Sequence, residues 1–123
     1  MILMCHLNSL ISYGGLLILF AFPNLSNAAV NCDDQNDYSY RRQVYIYPFG
    51  VVYSVIGRGR LFFYSAPDER CIQKNIFIIP GDQVNAYTEY SDFMSVMYID
   101  SHGKDTEGWV KRDRLQEVKP RDE

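Results

Sequence analysis

Two runs in the second half of the chain alternate between apolar and polar positions. Val84, Ala86 and Thr88 fall on one face of the first, and Met94, Val96 and Tyr98 on one face of the second. A period of two is that of a half-buried strand. Gly108-Trp109-Val110 makes a third short strand. Tyr90-Ser91-Asp92 and the polar loop Ser101 to Glu107 separate the runs. Consecutive strands joined by such turns predict an antiparallel meander. Upstream, Leu61 and Phe63 face one way and Phe62 and Tyr64 the other. Ile76 to Ile79 forms a further strand, halted by Pro80-Gly81. Val44 to Ile56 is rich in Val, Ile, Tyr and Phe, which favour strands. Pro48 cannot donate to a central ladder, so Pro48-Phe49-Gly50 predicts the turn of a hairpin there. Val30 to Gln43 is polar without periodicity and reads as an arm. Ser65 to Lys74 reads as a loop, and Arg112-Asp113-Arg114 as a single 3₁₀ turn.

In chain order, Gly81-Asp82, Val84 with Ala86, Phe93 with Val96, Gly108-Trp109-Val110 and the closing Leu115 form a set that resembles the bacterial SH3 (SH3b) family. Leu61 to Tyr64, followed by Ser65-Ala66-Pro67, resembles that family's first strand and its Ser-x-Pro exit. The resemblance covers Arg60 to Val118. It implies a mainly β fold, a small SH3-like antiparallel barrel over 60–118. An N-terminal strand-rich extension, arm and hairpin, occupies 29–59, and 119–123 is a flexible tail. The extension would cover an open barrel edge, which proteins protect. By the same resemblance, Tyr64, Phe93 and Trp109 fall where the family lines its groove. For Trp109 core packing is the preferred reading over ligand contact, and for Phe93 core packing and ligand contact stand level. Such a fold does not fix a function.

The first charged residue is Asp33. Before it, Leu16 to Phe22 is an apolar run ended by Pro23. Small residues, Ser26 and Ala28, sit at −3 and −1 of a cut after Ala28. This is the layout of a secretory signal peptide over 1–28. The leader lacks Lys and Arg, which leaves an uncleaved anchor as the alternative, but the run is short of the roughly 20 apolar residues of a span. Lipidation at Cys32 is disfavoured by Asn31, where a lipobox wants a small residue. Cleavage predicts a periplasmic or secreted domain without a stable membrane anchor.

All 12 basic and all 15 acidic residues lie after the leader, so the net charge of −3 belongs to the exported part. A weakly acidic surface argues against nucleic acid as a partner. Cys5 leaves with the leader. Cys32 and Cys71 remain, and an even pair in an exported chain predicts a disulfide. A zinc site is the rival, but His102 is the sole His past the leader and no Cys-x-x-Cys is present, which is poor metal spacing. The third reading makes Cys71 a nucleophile with His102 as its base.

The inventory for catalysis is thin: no Gly-x-Ser-x-Gly, no His-Glu-x-x-His, and carboxylates such as Asp68-Glu69 that read as loop solvation. Neither an enzyme, a cofactor nor a metal is expected. Aromatics are the stronger signal, with ten Tyr in 123 residues. Tyr is enriched at binding surfaces because it offers both a ring and a hydroxyl. Tyr64, Tyr87, Tyr90 and Phe93 are the candidates for an exposed set. For Tyr87 and Tyr90 the competing reading is cross-strand pairing on a solvent face. The expected role is a non-enzymatic exported domain that recognises an envelope protein, as an inhibitor or an immunity protein against a wall-acting toxin or enzyme. The alternatives are a peptidoglycan-binding SH3b module and a structural subunit of an envelope complex.

Overall fold

Asn31 starts the first element. Its side-chain oxygen accepts from the backbone N–H groups of Asp33 and Asp34 at 3.1 and 3.2 Å, which caps helix α1, Cys32–Tyr40. Asp33 and Asp34 in the first turn suit the positive end of the helix. The stretch that reads as an arm is therefore helical. The helix shows no apolar stripe because Ser39 is its one buried residue. Capping and long-range contacts hold it in place of an apolar face.

The computed structural model describes residues 29–119, together with Ile18. The leader reading over 1–28 and the end of the predicted tail, 120–123, otherwise lie outside the described residues. No helix among the described residues is long and apolar enough to cross a membrane.

Strands β1 (Val44–Tyr45) and β2 (Val51–Val55) follow. They do not form a hairpin with each other. Both run antiparallel to β5 (Gln83–Tyr90), with Tyr45 opposite Thr88 and Val51 opposite Ala86. Six positions separate Tyr45 from Val51, and two separate Thr88 from Ala86. The excess loops out around Pro48. Its two ends are fastened to β5: the Ile46 N–H donates to the Tyr87 carbonyl at 2.9 Å, and Asn85 Nδ2 donates to the Gly50 carbonyl at 2.9 Å. Pro48 keeps out of the ladder, as its missing N–H demands, but by interrupting one strand line instead of reversing it.

Strands β3 (Leu61–Tyr64) and β4 (Ile72–Ile78) pair with a register shift between Phe62 and Phe63. The strand thus begins at Ile72 and takes in the end of the predicted loop. The rest of that loop contains a 3₁₀ turn, Glu69–Cys71, capped by Asp68, whose Oδ1 accepts from the Arg70 N–H at 2.9 Å. A second 3₁₀ turn, Arg112–Arg114, falls where the sequence predicts one.

Strands β5, β6 (Phe93–Ile99) and β7 (Asp105–Lys111) form the predicted meander. Strand β8 (Leu115–Glu117) pairs with β2. The order across the sheet is β4-β3-β7-β6-β5-β2-β8, with β1 added on β5. The fold is mainly β, and this antiparallel sheet is not closed.

The alternation seen in the sequence becomes the core. Val84, Ala86, Met94, Val96, Val110 and Leu115 pack with Val55, Leu61, Phe63 and Ile78. The Gly81-Asp82 turn locks the entry to β5. Gly81 has φ +96°, where a side chain is disfavoured. Its N–H donates to the Val55 carbonyl at 2.9 Å, and the Val55 N–H donates to the Asp82 carbonyl at 2.8 Å. Asp82 Oδ2 also accepts from the Ile79 N–H at 2.9 Å. Tyr64, Phe93 and Trp109 form a separate buried cluster, with Ile72 and Tyr90 packed against it.

Candidate functional site

Helix α1 lies over one face of the sheet, and a cleft of about 550 Å³ opens between them. Two polar clasps build its ends. Trp109 Nε1 donates to Asn36 Oδ1 of the helix at 2.7 Å. Thr88 Oγ1 donates to Gln43 Oε1, just past the helix, at 2.8 Å, and also meets Ser95 Oγ. Thr88 is buried, so this contact satisfies a hydroxyl that would otherwise be costly to bury. The disulfide Cys32–Cys71 ties the start of the same helix to the 3₁₀ turn before β4, with Cα atoms 5.8 Å apart. Sequence reasoning predicts this bond. Within it Cys71 is no nucleophile, and the reading that pairs it with His102 fails on that ground. His102 sits in the β6–β7 turn, where its backbone N–H donates to Asp100 Oδ1 at 2.8 Å.

The predicted site residues divide. Tyr64, Tyr87 and Trp109 line the cleft. Phe93 and Tyr90 do not. The expectation that Tyr64 and Phe93 are exposed is corrected: their relative exposures are 7% and 4%. They meet edge to face at 5.0 Å between ring centroids, and the Lys111 ammonium sits 4.9 Å from the Phe93 ring centre. Lys111 also pairs with Glu69. Phe93 is thus a packing residue beneath the cleft. Tyr87 and Tyr90 are half-buried. Trp109 is buried in line with the preferred core reading, yet it lines the cleft wall as well.

Among the cleft-lining residues that the sequence reading does not pick out are Asn36, Tyr40, Gln43 and Tyr45. They come from the segment that reads as an arm and hairpin. The signal that marks them is a dense set of aromatics in a polar setting, Tyr38, Tyr40, Tyr45, Tyr47 and Phe49. In the structure all five are exposed, from 46% for Tyr38 to 72% for Tyr47. Phe49 meets Tyr47 and Tyr45 edge to face, at 4.9 and 6.2 Å.

One carboxylate, Glu107, lines the cleft, and no Lys, Arg or His does. Arg42, next to Gln43, is turned onto Tyr38, with its guanidinium 3.7 Å from the ring centre. Burial, then the charge of Asp113, raises the Tyr64 hydroxyl above its ordinary value, so it stays protonated at neutral pH. At the start of the 3₁₀ turn before β4, Asp68 is held down to about 2, first by the Arg70 side chain and then by the Arg70 backbone N–H. Among the described residues no group of three or more His, Cys, Asp or Glu is placed to hold a metal.

Comparison of the chain with family models, with curated proteins and with solved structures finds no match.

Proposed function

We propose that this chain is a non-enzymatic exported domain that binds a protein of the cell envelope, as an inhibitor or an immunity protein against a wall-acting toxin or enzyme. One observation carries the reading. Residues 38–49 hold Tyr38, Tyr40, Val44, Tyr45, Tyr47 and Phe49 in exposed positions on one short segment. Aromatic residues concentrated at a surface are the compositional mark of an interface core, and single scattered apolar residues would need no such account. Helix α1 and strand β1 carry four of them, and the loop around Pro48 holds Tyr47 and Phe49 between hydrogen bonds to β5, so little order has to be gained on binding. The disulfide fits an oxidising compartment.

The finer fold reading belongs here too. An SH3-type barrel is supported by the β5–β6–β7 meander, by the 3₁₀ turn between β7 and β8, and by the return of β8 onto β2. On this reading β2 takes the place of the first strand, which the sequence resemblance gives to Leu61 to Tyr64, so the barrel would begin before residue 60, and β3 with β4 form an excursion between β2 and β5.

The test is capture from an envelope extract by the chain Ala29–Glu123 and by its Tyr47→Ser/Phe49→Ser double variant. Support requires one captured protein that the variant fails to hold, and loss of that protein's activity when the domain is added. Co-sedimentation with protein-free sacculi would instead make the wall the ligand and overturn the proposal.

A further inference from the structure

On the reading that the partner is a protein, we infer that the cleft between α1 and the sheet seats a basic side chain of that partner, a Lys or an Arg. Aromatic side chains are prominent among what the cleft offers. Tyr40, Tyr45, Tyr64, Tyr87 and Trp109 all line it. Aromatic walls attract a cation through the electron density of the ring face. The charge on the wall has the matching sign: Glu107 lines the cleft, and no basic side chain does. An anionic group would enter with nothing to neutralise it.

A neutral polar ligand such as a saccharide is the natural competitor, because amides and hydroxyls also line the cleft. Some of those groups are already engaged. Asn36 Oδ1 accepts from Trp109, Gln43 Oε1 accepts from Thr88, Ser95 meets Thr88, and Ser65 Oγ donates to the Cys71 carbonyl at 3.5 Å. Gln73 and the Tyr40, Tyr45, Tyr64 and Tyr87 hydroxyls are not among them, so a sugar has groups to bind, and what favours a cation is the charge of Glu107. A cation can use the aromatic side chains and the Glu107 carboxylate together. The chain's net charge of −3 favours approach of a basic partner. The exposed aromatics Tyr47 and Phe49 stand on the same segment as Tyr45 at the cleft, so one partner can cover both.

Trp109 is the sole Trp of the chain, so its fluorescence reports on the cleft directly. The probe is a blocked glycine-rich pentapeptide with a central Lys, beside versions with central Arg, norleucine or Glu, titrated into Ala29–Glu123 at low and high salt. The Lys and Arg peptides are expected to give a saturable change, with the norleucine and Glu peptides at least about tenfold weaker. Glu107→Gln is expected to weaken the Lys peptide severalfold and to flatten its salt dependence. Glu107 is exposed, so this variant leaves the fold intact, and Tyr45→Leu gives a second loss at another exposed position. Equal responses to Lys and norleucine, no effect of Glu107→Gln, or a response to a chito-oligosaccharide in place of the peptides would each overturn the inference. If the partner is captured but the Lys peptide fails, this inference falls and the protein-binding reading stands. Peptide binding without any captured partner sinks that reading instead.

Discussion

Trp109 and Asn36 stand 73 positions apart in sequence, yet the indole N–H donates to the Asn36 amide oxygen at 2.7 Å. This bond fastens the N-terminal helix to the meander and fixes one wall of the cleft. Trp109 is 5% exposed, so without Asn36 its N–H would be left without a partner and with little water in reach. Asn36→Leu is therefore expected to cost about 1–3 kcal/mol, read as a lower denaturant midpoint with an altered Trp109 emission. An unchanged midpoint would mean the indole finds another acceptor.

Reduction of Cys32–Cys71 should loosen the same helix. The bond spans a sequence separation of 39, and closing a loop of that size is worth about 4 kcal/mol in the chain-entropy account. Hydrogen exchange after reduction should rise in Cys32–Tyr40 first, while Val84, Val96 and Val110 of the core stay protected. Uniform loss across β5 to β7 would show the disulfide to be a condition of the whole fold.

Phe93→Ala is expected to act on stability. The ring is 4% exposed and packs on Tyr64, so truncation should cost about 3–5 kcal/mol. A variant that melts like the parent but no longer holds its partner would return Phe93 to the binding surface.

Gly81→Val places a β-branched residue at φ +96°, although the space around the missing side chain is open. The penalty is thus one of backbone conformation, about 1–2 kcal/mol, visible in the denaturation midpoint. Gly81→Asn should recover part of it, because Asn visits this region more readily. If Val and Asn behave alike, the turn is adapting its backbone.

Acid should find Asp68. Its carboxyl falls from 3.8 to about 2 in the folded protein through bonds from Arg70, and the unfolded chain lacks those bonds. A carboxylate with a depressed folded value stabilises the protein above the unfolded value. That contribution is lost as pH falls from about 4 toward 2. The midpoint difference between the parent and Asp68→Asn should accordingly shrink over that window. A difference that stays constant with pH would mean that the cap acts without its charge.

The alternation of Val84, Ala86, Met94 and Val96, and the turns between them, carried the meander in the sequence alone. A period of two can be buried in only one way on a strand, so these residues reached the core together. The Cys32–Cys71 pair was equally legible, being the two cysteines that follow the predicted leader. The helix at Cys32–Tyr40 was not, because it buries Ser39 and no apolar stripe, and its contacts come from residues far away in the chain. Pro48 announced a break, but whether the chain reverses there or loops out and resumes along β5 depends on Tyr87 and Asn85, its partners across the sheet. Exposure of Tyr64 and Phe93 was likewise beyond the sequence, since a tyrosine or phenylalanine on a strand suits either face. Only tertiary packing set those rings against each other and left Tyr47 and Phe49 at the surface. Local pattern reports what a residue can bury; which surface arrives to cover it is decided by chain segments the pattern does not contain.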